Sequence, residues 1–301
     1  MDENWNRAKG VFAALFVAPV FWLAVFFIAP LAIVWAYSFG ENQGLTEITI
    51  NGTFSNYVHA IQPLYLGIFL KSFWFAALTT ALCLVVGFPM ALAITFASDR
   101  TKVWLLLLIM LPFWTNLLIR TYALMAVLRT QGYINITLGF LWNGAGHVLG
   151  MAGHPLPPFQ PLELLHNNFA VVFGLVYVQL PFMVLPLYAA LDRLDRSLLE
   201  ASLDLGAGHG RTFTRIVVPL AMPGIVSWVI VTLIPSIGAY LTPDLLGGPD
   251  SQMIANVIER QFKLANDWPF GAALSFLLMY LTFIAIAAQA VVSRHRKAER
   301  A

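Results

Sequence analysis

Uncharged apolar runs dominate this sequence. No Asp, Glu, Lys or Arg falls in residues 10–40, 72–98, 103–119, 164–191, 216–243 or 268–293. A hydrocarbon core of about 30 Å is crossed by about 20 helical residues, each rising ~1.5 Å. Five of the runs exceed that length, and the run at 103–119 reaches it if its helix continues past Arg120 to about Leu128. The sequence therefore predicts an all-α integral membrane protein. Its six spans would lie at 11–37, 70–97, 103–128, 168–191, 220–245 and 270–293, in one transmembrane domain over 1–301. Its surroundings would be membrane lipid.

Composition agrees. The chain is 59% apolar and 11% charged, where soluble domains run about 45–50% and about 25%. That balance excludes a disordered chain and a nucleic-acid-binding module. The single cysteine, Cys83, allows neither an intrachain disulfide nor a cysteine metal site. The first run, from Val11 to about Tyr37, is too long for the ~7–15-residue apolar core of a secretory signal and reads as an uncleaved anchor helix. The uncharged stretch 130–162 is no span, because Gly132, Gly139, Gly144, Gly146, Gly150, Gly153, Pro155, Pro157, Pro158 and Pro161 interrupt it. It predicts a short interfacial helix at Tyr133–Trp142 followed by a loop.

Basic residues orient the chain. Arg7, Lys9, Arg100, Lys102, Arg193, Arg196, Arg211, Arg215, Arg294, Arg296, Lys297 and Arg300, which make 12 of the 17, fall on one side. Lys71, Arg129, Arg260 and Lys263 fall on the other, and Arg120, near a helix end, would snorkel to the outer headgroups. Lysine and arginine are retained inside, so both termini and the loop 192–219 are expected in the cytoplasm.

No enzyme signature is present. His147, His154 and His166 lack metal-ligand spacing, and Gly206-Ala-Gly-His-Gly-Arg211 lacks the Gly-Lys-Ser/Thr ending of a phosphate loop. No catalytic residue, metal site or bound cofactor is expected. A membrane enzyme or an ion-coupled secondary transporter would need acids, histidines or nucleophiles within the spans, which are nearly free of them. Prolines and glycines instead break the spans, at Gly87 and Pro89, Pro112, Gly174, Pro181 and Pro186, and Pro223, Pro235, Gly238 and Pro243. Interrupted helices recur around solute paths.

The 192–219 loop is the most informative segment. Leu194, Leu198, Leu199, Ala201, Leu203 and Leu205 alternate with Asp192, Arg193, Asp195, Arg196, Glu200 and Asp204, predicting a short amphipathic helix stopped by Gly206. Gly208 and Gly210 would turn the chain, and a second short helix at about 211–217 would end before Pro219. Such an elbow suits docking in a partner's groove.

The run Glu200-Ala201-Ser202, three residues, Gly206, nine residues, Ile216-Val-Val-Pro219 resembles the Glu-Ala-Ala…Gly…Ile-x-Leu-Pro motif of the permease subunits of bacterial ABC importers. It departs only at Ser202 and Val218. Leu111–Tyr122, Gly132-Tyr133, Leu180–Tyr188, Asp244–Gly248 and Asp267–Gly271 are similar to the spermidine/putrescine (polyamine) permeases of that family, of the B or H type. The resemblance implies the type I importer permease fold in a bacterial inner membrane, with the loop as a coupling helix. It also implies a second permease subunit that is a different chain, two ATPase subunits that bind ATP and magnesium, and a periplasmic substrate-binding protein. Glu200, Ala201, Ser202, Gly206, Ile216 and Pro219 would couple to the ATPase. A permease for another small organic solute is the alternative.

A polyamine needs carboxylates and aromatic faces. Asp244, Tyr240, Trp114, Asn116, Tyr122 and Tyr177 are the candidates for its path, with Gln179 beside them. Asp244 could instead cap a short helix at Leu245–Gly247.

Overall fold

The computed structural model describes residues 15–43, 47–151 and 156–298. Arg7, Lys9, Gly153, His154, Pro155 and Arg300, all weighed above, lie outside them, as does the start of the expected first span. The chain divides into two compact units, residues 1–66 with 257–301, and residues 67–256.

In the first unit, helix α1 (Leu15–Tyr37) is wholly apolar and carries a π-helical stretch at Ala24–Ile28. A hairpin the sequence did not suggest follows it. Strands β1 (Gly40–Gln43) and β2 (Glu47–Ile50) pair antiparallel, with Gly40 opposite Ile50. Asn56, on helix α2 (Ser55–Ala60), holds the hairpin root by donating to the Gly40 carbonyl at 2.8 Å. Helix α13 (Trp268–Ala298) meets α1 where Trp35 Nε1 donates to the Tyr280 hydroxyl at 2.9 Å.

The second unit holds most of helix α3 (Pro63–Thr95), then α4 (Asp99–Met110), a 3-10 turn (Leu111–Trp114), α5 (Leu117–Leu128) and α6 (Tyr133–Met151). Beyond them come α7 (Asn168–Leu191), α8 (Arg196–Asp204), α9 (His209–Thr212), α10 (Val218–Ile237) and α11 (Leu241–Leu246). Helix α12 (Ile254–Lys263) begins at its end. Polar caps set several starts: Asn116, Asn167 and Asp195 accept from Leu118, Ala170 and Ser197 N–H at 2.8, 2.9 and 2.9 Å. The core gathers Cys83, Ala91 and Ile94 of α3, Met183, Val184, Leu187 and Leu191 of α7, and Ala221 and Ile225 of α10. At Gly174 of α7 a Cβ would overlap Leu246 Cδ1 and fall 2.7 Å from Thr242 Cγ2, so only glycine lets α11 approach there.

Four helices among the described residues are long and apolar enough to cross a membrane: Leu15–Tyr37, Pro63–Thr95, Asn168–Leu191 and Trp268–Ala287. The structure differs from the expected 103–128 span, which is not one helix. It bends by 99° between Asp99–Trp114 and Leu117–His147, a fifth crossing if the pair is counted as one. The extended Thr115 and Asn116 (ψ 148° and 142°) break it after Pro112. The expected 220–245 span likewise stops at Ile237, before Gly238, and contributes the shorter apolar stretch Trp228–Ile237.

Helix α6 also outruns the expected Tyr133–Trp142. Its glycines are tolerated at about 1 kcal/mol each, and the returning segment packs on it. Asn135 and the Leu162 backbone exchange hydrogen bonds at 2.9 and 2.8 Å, and Trp142 Nε1 donates to the Pro157 carbonyl at 2.9 Å.

Candidate functional site

Two regions of the second unit hold the candidate residues. The first is the elbow after α7. Asp195 caps α8, and its side chain accepts from the Ser197 N–H; the backbone and side-chain hydrogen bonds from Ser197 hold its carboxyl below the ordinary 3.8. Leu194 and Leu199 pack on the core. The far end of α8 closes in a Schellman motif, with Ala207 N–H to the Ser202 carbonyl at 3.1 Å and Gly206 N–H to the Leu203 carbonyl at 2.9 Å. Gly206 has φ 79°, a conformation that glycine alone takes without penalty.

The second arm differs from expectation. It starts at His209, so Gly210 lies inside helix α9 rather than in a turn, and it does not end before Pro219. A π-helical turn, Phe213–Val217, joins α9 directly to α10. The Val218 N–H bonds back to the Phe213 carbonyl, one residue further than in an α-helix. That wider turn sits where a regular helix would drive the Pro219 ring into the carbonyl four residues back. The result is one helical rod from His209 to Ile237.

Glu200, Ala201, Gly206 and Pro219 are exposed, and Ile216 is half-buried. Ser202 points inward. Its hydroxyl and that of Thr212 are both buried and share a hydrogen bond at 2.9 Å. Sequence reasoning missed Thr212. The available signal was a pair of small hydroxyl residues at inward positions on either side of a glycine turn. It also missed that Leu205, beside the turn, is 88% exposed. At the elbow's entry Lys102 Nζ meets Asp192 Oδ1 at 2.8 Å and lies 5.5 Å from the Tyr188 ring centre.

The second region is the far end of α10. After Gly238 the chain turns into α11, which contains Asp244 rather than starting from it. This overturns the expected cap on Leu245–Gly247, because the helix already runs from Leu241 and ends at Leu246. Tyr240 and Asp244 are brought together, the hydroxyl donating to Asp244 Oδ2 at 3.4 Å. Asn256 Nδ2 donates to the Tyr240 carbonyl at 3.1 Å and anchors the break.

Trp114 stands on the 3-10 turn of the bent pair, 77% exposed, and Tyr122 is exposed on α5. The Asn116 side-chain oxygen is taken up in capping α5. Tyr177 is half-buried on α7. Gln179 is buried and donates to Ser236 Oγ at 3.2 Å, which makes it a helix-packing group between α7 and α10. Arg120 is half-buried on α5. Its guanidinium lies over the Phe113 ring at 5.0 Å, and Nε and Nη1 are buried without a hydrogen-bond partner among the described residues.

Long apolar helices broken by proline, joined by a polar helical elbow, define a membrane transport permease. The chain belongs to the family of binding-protein-dependent transport system inner membrane components, which it matches over residues 6–298, and it is the permease component of an ABC importer. It is 39% identical to the spermidine/putrescine transport system permease protein PotB of Escherichia coli K12, over 88% of this chain and 91% of the relative. It is 35% identical to the PotB of Haemophilus influenzae, over 94% and 96%. The fold is that of the crystal structure of a bacterial ABC transporter involved in the import of the acidic polysaccharide alginate. The TM-score is 0.64 at 17% identity, covering 98% of this chain and 99% of that one.

Proposed function

We propose that this chain is one of two permease subunits of an ATP-driven polyamine importer of the bacterial inner membrane, and that it carries spermidine or putrescine inward. The observation that supports this best is its 35–39% identity, over about nine-tenths of its length, to permeases named for those solutes. In this reading the chain crosses the membrane six times, with the bent α4–α5 pair and α10–α11 as the two broken spans. Both termini and the elbow face the cytoplasm, a reading supported by the distribution of basic residues.

Each of two ATPase subunits, holding ATP and magnesium, docks on one permease elbow. Here Glu200, Ala201 and the Leu205 side chain face outward toward it, Gly206 sets the turn, and Ile216 and Pro219 lie within the rod that carries motion to the solute path. A periplasmic binding protein delivers the solute, which passes Asp244, Tyr240, Trp114 and Tyr122.

The test is reconstitution of the complete transporter in proteoliposomes. Binding protein loaded with spermidine or putrescine is expected to stimulate ATP hydrolysis and uptake. Uptake of another organic solute with no response to either polyamine would overturn the solute assignment and leave the permease role standing.

A further inference from the structure

Force applied to α8 has to cross a weak place. The chain between α8 and α9 is Leu205-Gly-Ala-Gly208, and a Cβ built at Gly206, Gly208 or Gly210 would meet nothing within 4 Å. No neighbour packs on those glycines, so beyond the two Schellman hydrogen bonds and the half-buried Ala207 little braces the turn, and glycine gives it little intrinsic stiffness. Beyond the turn, by contrast, the helix from His209 to Ile237 is continuous.

We propose that Ser202 and Thr212 form a hydroxyl latch across this turn, so that displacement of α8 by the ATPase is delivered to α10 instead of being absorbed by the glycines. This rests on the docking role given to the elbow above. The two oxygens are 2.9 Å apart, both residues are buried, and the bond joins the last full turn of α8 to the first turn of the rod. The neighbouring Thr214 shows the contrast. It satisfies its hydroxyl inside its own helix, on the Gly210 carbonyl at 2.9 Å, and joins nothing.

Apolar packing through Leu194, Leu199 and Phe213 holds both arms against the core. Packing is non-directional and tolerates sliding, whereas a buried hydrogen bond fixes register. The latch also gives a reason for serine at the one position of the Glu-Ala-Ser triplet where the related motif has alanine. Ser202 and Thr212 are positioning residues: they touch neither nucleotide nor solute.

The experiment uses the complete transporter in proteoliposomes, with spermidine as probe. It compares wild type with Ser202→Ala, Thr212→Val, the double variant and Thr212→Ser. Uptake per ATP hydrolysed is expected to fall about 3- to 10-fold in each single deletion, the bias one buried hydrogen bond gives a two-state element. The double variant should be no worse than the worse single one, because both remove the same bond. Thr212→Ser should stay near wild type, and the complex should stay assembled in every variant, with at most a small drop in unfolding midpoint from the lost buried hydrogen bond.

A second readout does not depend on the solute. Spin labels at Asp204→Cys on α8 and Val231→Cys on α10 should keep one narrow distance between nucleotide-free and vanadate-trapped states. In the latch variants that distance should shift or broaden. An unaltered label distance together with a wild-type coupling ratio in both single variants would overturn the latch. Glu200→Ala and Gly206→Val separate the two readings: wild-type transport in both removes the docking role itself, while their loss beside intact latch variants removes only the latch.

Discussion

Lys102 Nζ lies 2.8 Å from Asp192 Oδ1, which pins the first turn of α4 to the residue after α7, where the elbow begins. The side chains are 17% and 41% exposed, so water and salt screen the pair, and such a pair contributes little. Lys102→Met is expected to lower stability only slightly, with the loss shrinking between 0.15 and 1 M salt as the screening length falls from about 8 to 3 Å. Thermal unfolding of the purified complex across a salt series checks this. A salt-independent loss would mean that the ammonium over the Tyr188 ring, and not the ion pair, is what holds.

Gly174 and Gly144 should respond in opposite directions to alanine. At Gly174 the added methyl runs into Leu246 and Thr242 of α11. Gly174→Ala should cost about 1–3 kcal/mol, as overpacking does, and should disturb the Tyr240–Asp244 region that α11 carries. At Gly144, inside α6, a Cβ meets nothing within 4 Å. Gly144→Ala should gain about 0.5–1 kcal/mol of helix propensity. Unfolding midpoints of the two variants give the answer, and a stable Gly174→Ala protein would show that α11 can yield.

The Asp195 cap sets the acid limit of α8. The backbone and side-chain hydrogen bonds from Ser197 hold its carboxyl below the ordinary 3.8. The folded pKa is thus the lower one, so the cap's stabilisation is complete above 3.8 and is lost as pH falls through the folded value. Protection of the α8 amides, corrected for the intrinsic pH dependence of exchange, should be flat from neutral pH down to about pH 4.5 and should fall only below the ordinary carboxyl range. Asp195→Asn should remove the acid step and keep protection, because asparagine caps about as well, whereas Asp195→Ala should lose protection at all pH values. Acid sensitivity surviving in Asp195→Asn would point to another carboxylate.

What the sequence made legible was set by physics local in the chain. Apolar length found α1, α3, α7 and α13, because a bilayer imposes one length on any helix that crosses it. The alternation at 194–205 and the Gly206 stop found α8, since amphipathic period and glycine caps are properties of a few adjacent residues. The misses have two causes: partners distant in sequence, and local backbone geometry that has no residue signature. Glycines in α6 were read as breakers, but Asn135 and Trp142 hold Leu162 and Pro157 over that helix. The 99° bend needed the extended backbone at Thr115 and Asn116, which Pro112 alone does not dictate. Pro219 was read as a stop because the π turn that accommodates it has no sequence signature. Asp244 looked like a cap because the helix beginning at Leu241 has no polar N-cap residue to announce it: Tyr240 occupies that position, and its side chain caps no backbone N–H.

With capping excluded, Asp244 is left as an exposed carboxylate just beyond a broken helix, its Oδ2 accepting from Tyr240 at 3.4 Å. At 3.4 Å the bond is long for O–H···O and leaves most of the carboxylate's acceptor capacity for another donor. A passing ammonium would supply it, and the Tyr240 ring offers a second, cation–π contact of about 0.5–2 kcal/mol. Asp244→Asn keeps size and hydrogen bonding and removes only charge. It should raise the spermidine concentration for half-maximal uptake about 3- to 10-fold, the effect of losing one charge-assisted contact in a hydrated site, while protein level and basal ATP hydrolysis hold. Tyr240→Phe keeps both the charge and the ring, so it should change that concentration by less than about 3-fold. Tyr240→Ala should approach Asp244→Asn. The order of the three variants is the test, measured as initial uptake rates over a spermidine series. Unchanged kinetics in Asp244→Asn would remove the residue from the path, and a larger effect in Tyr240→Phe than in Asp244→Asn would make the hydroxyl, and not the carboxylate, the group that meets the solute.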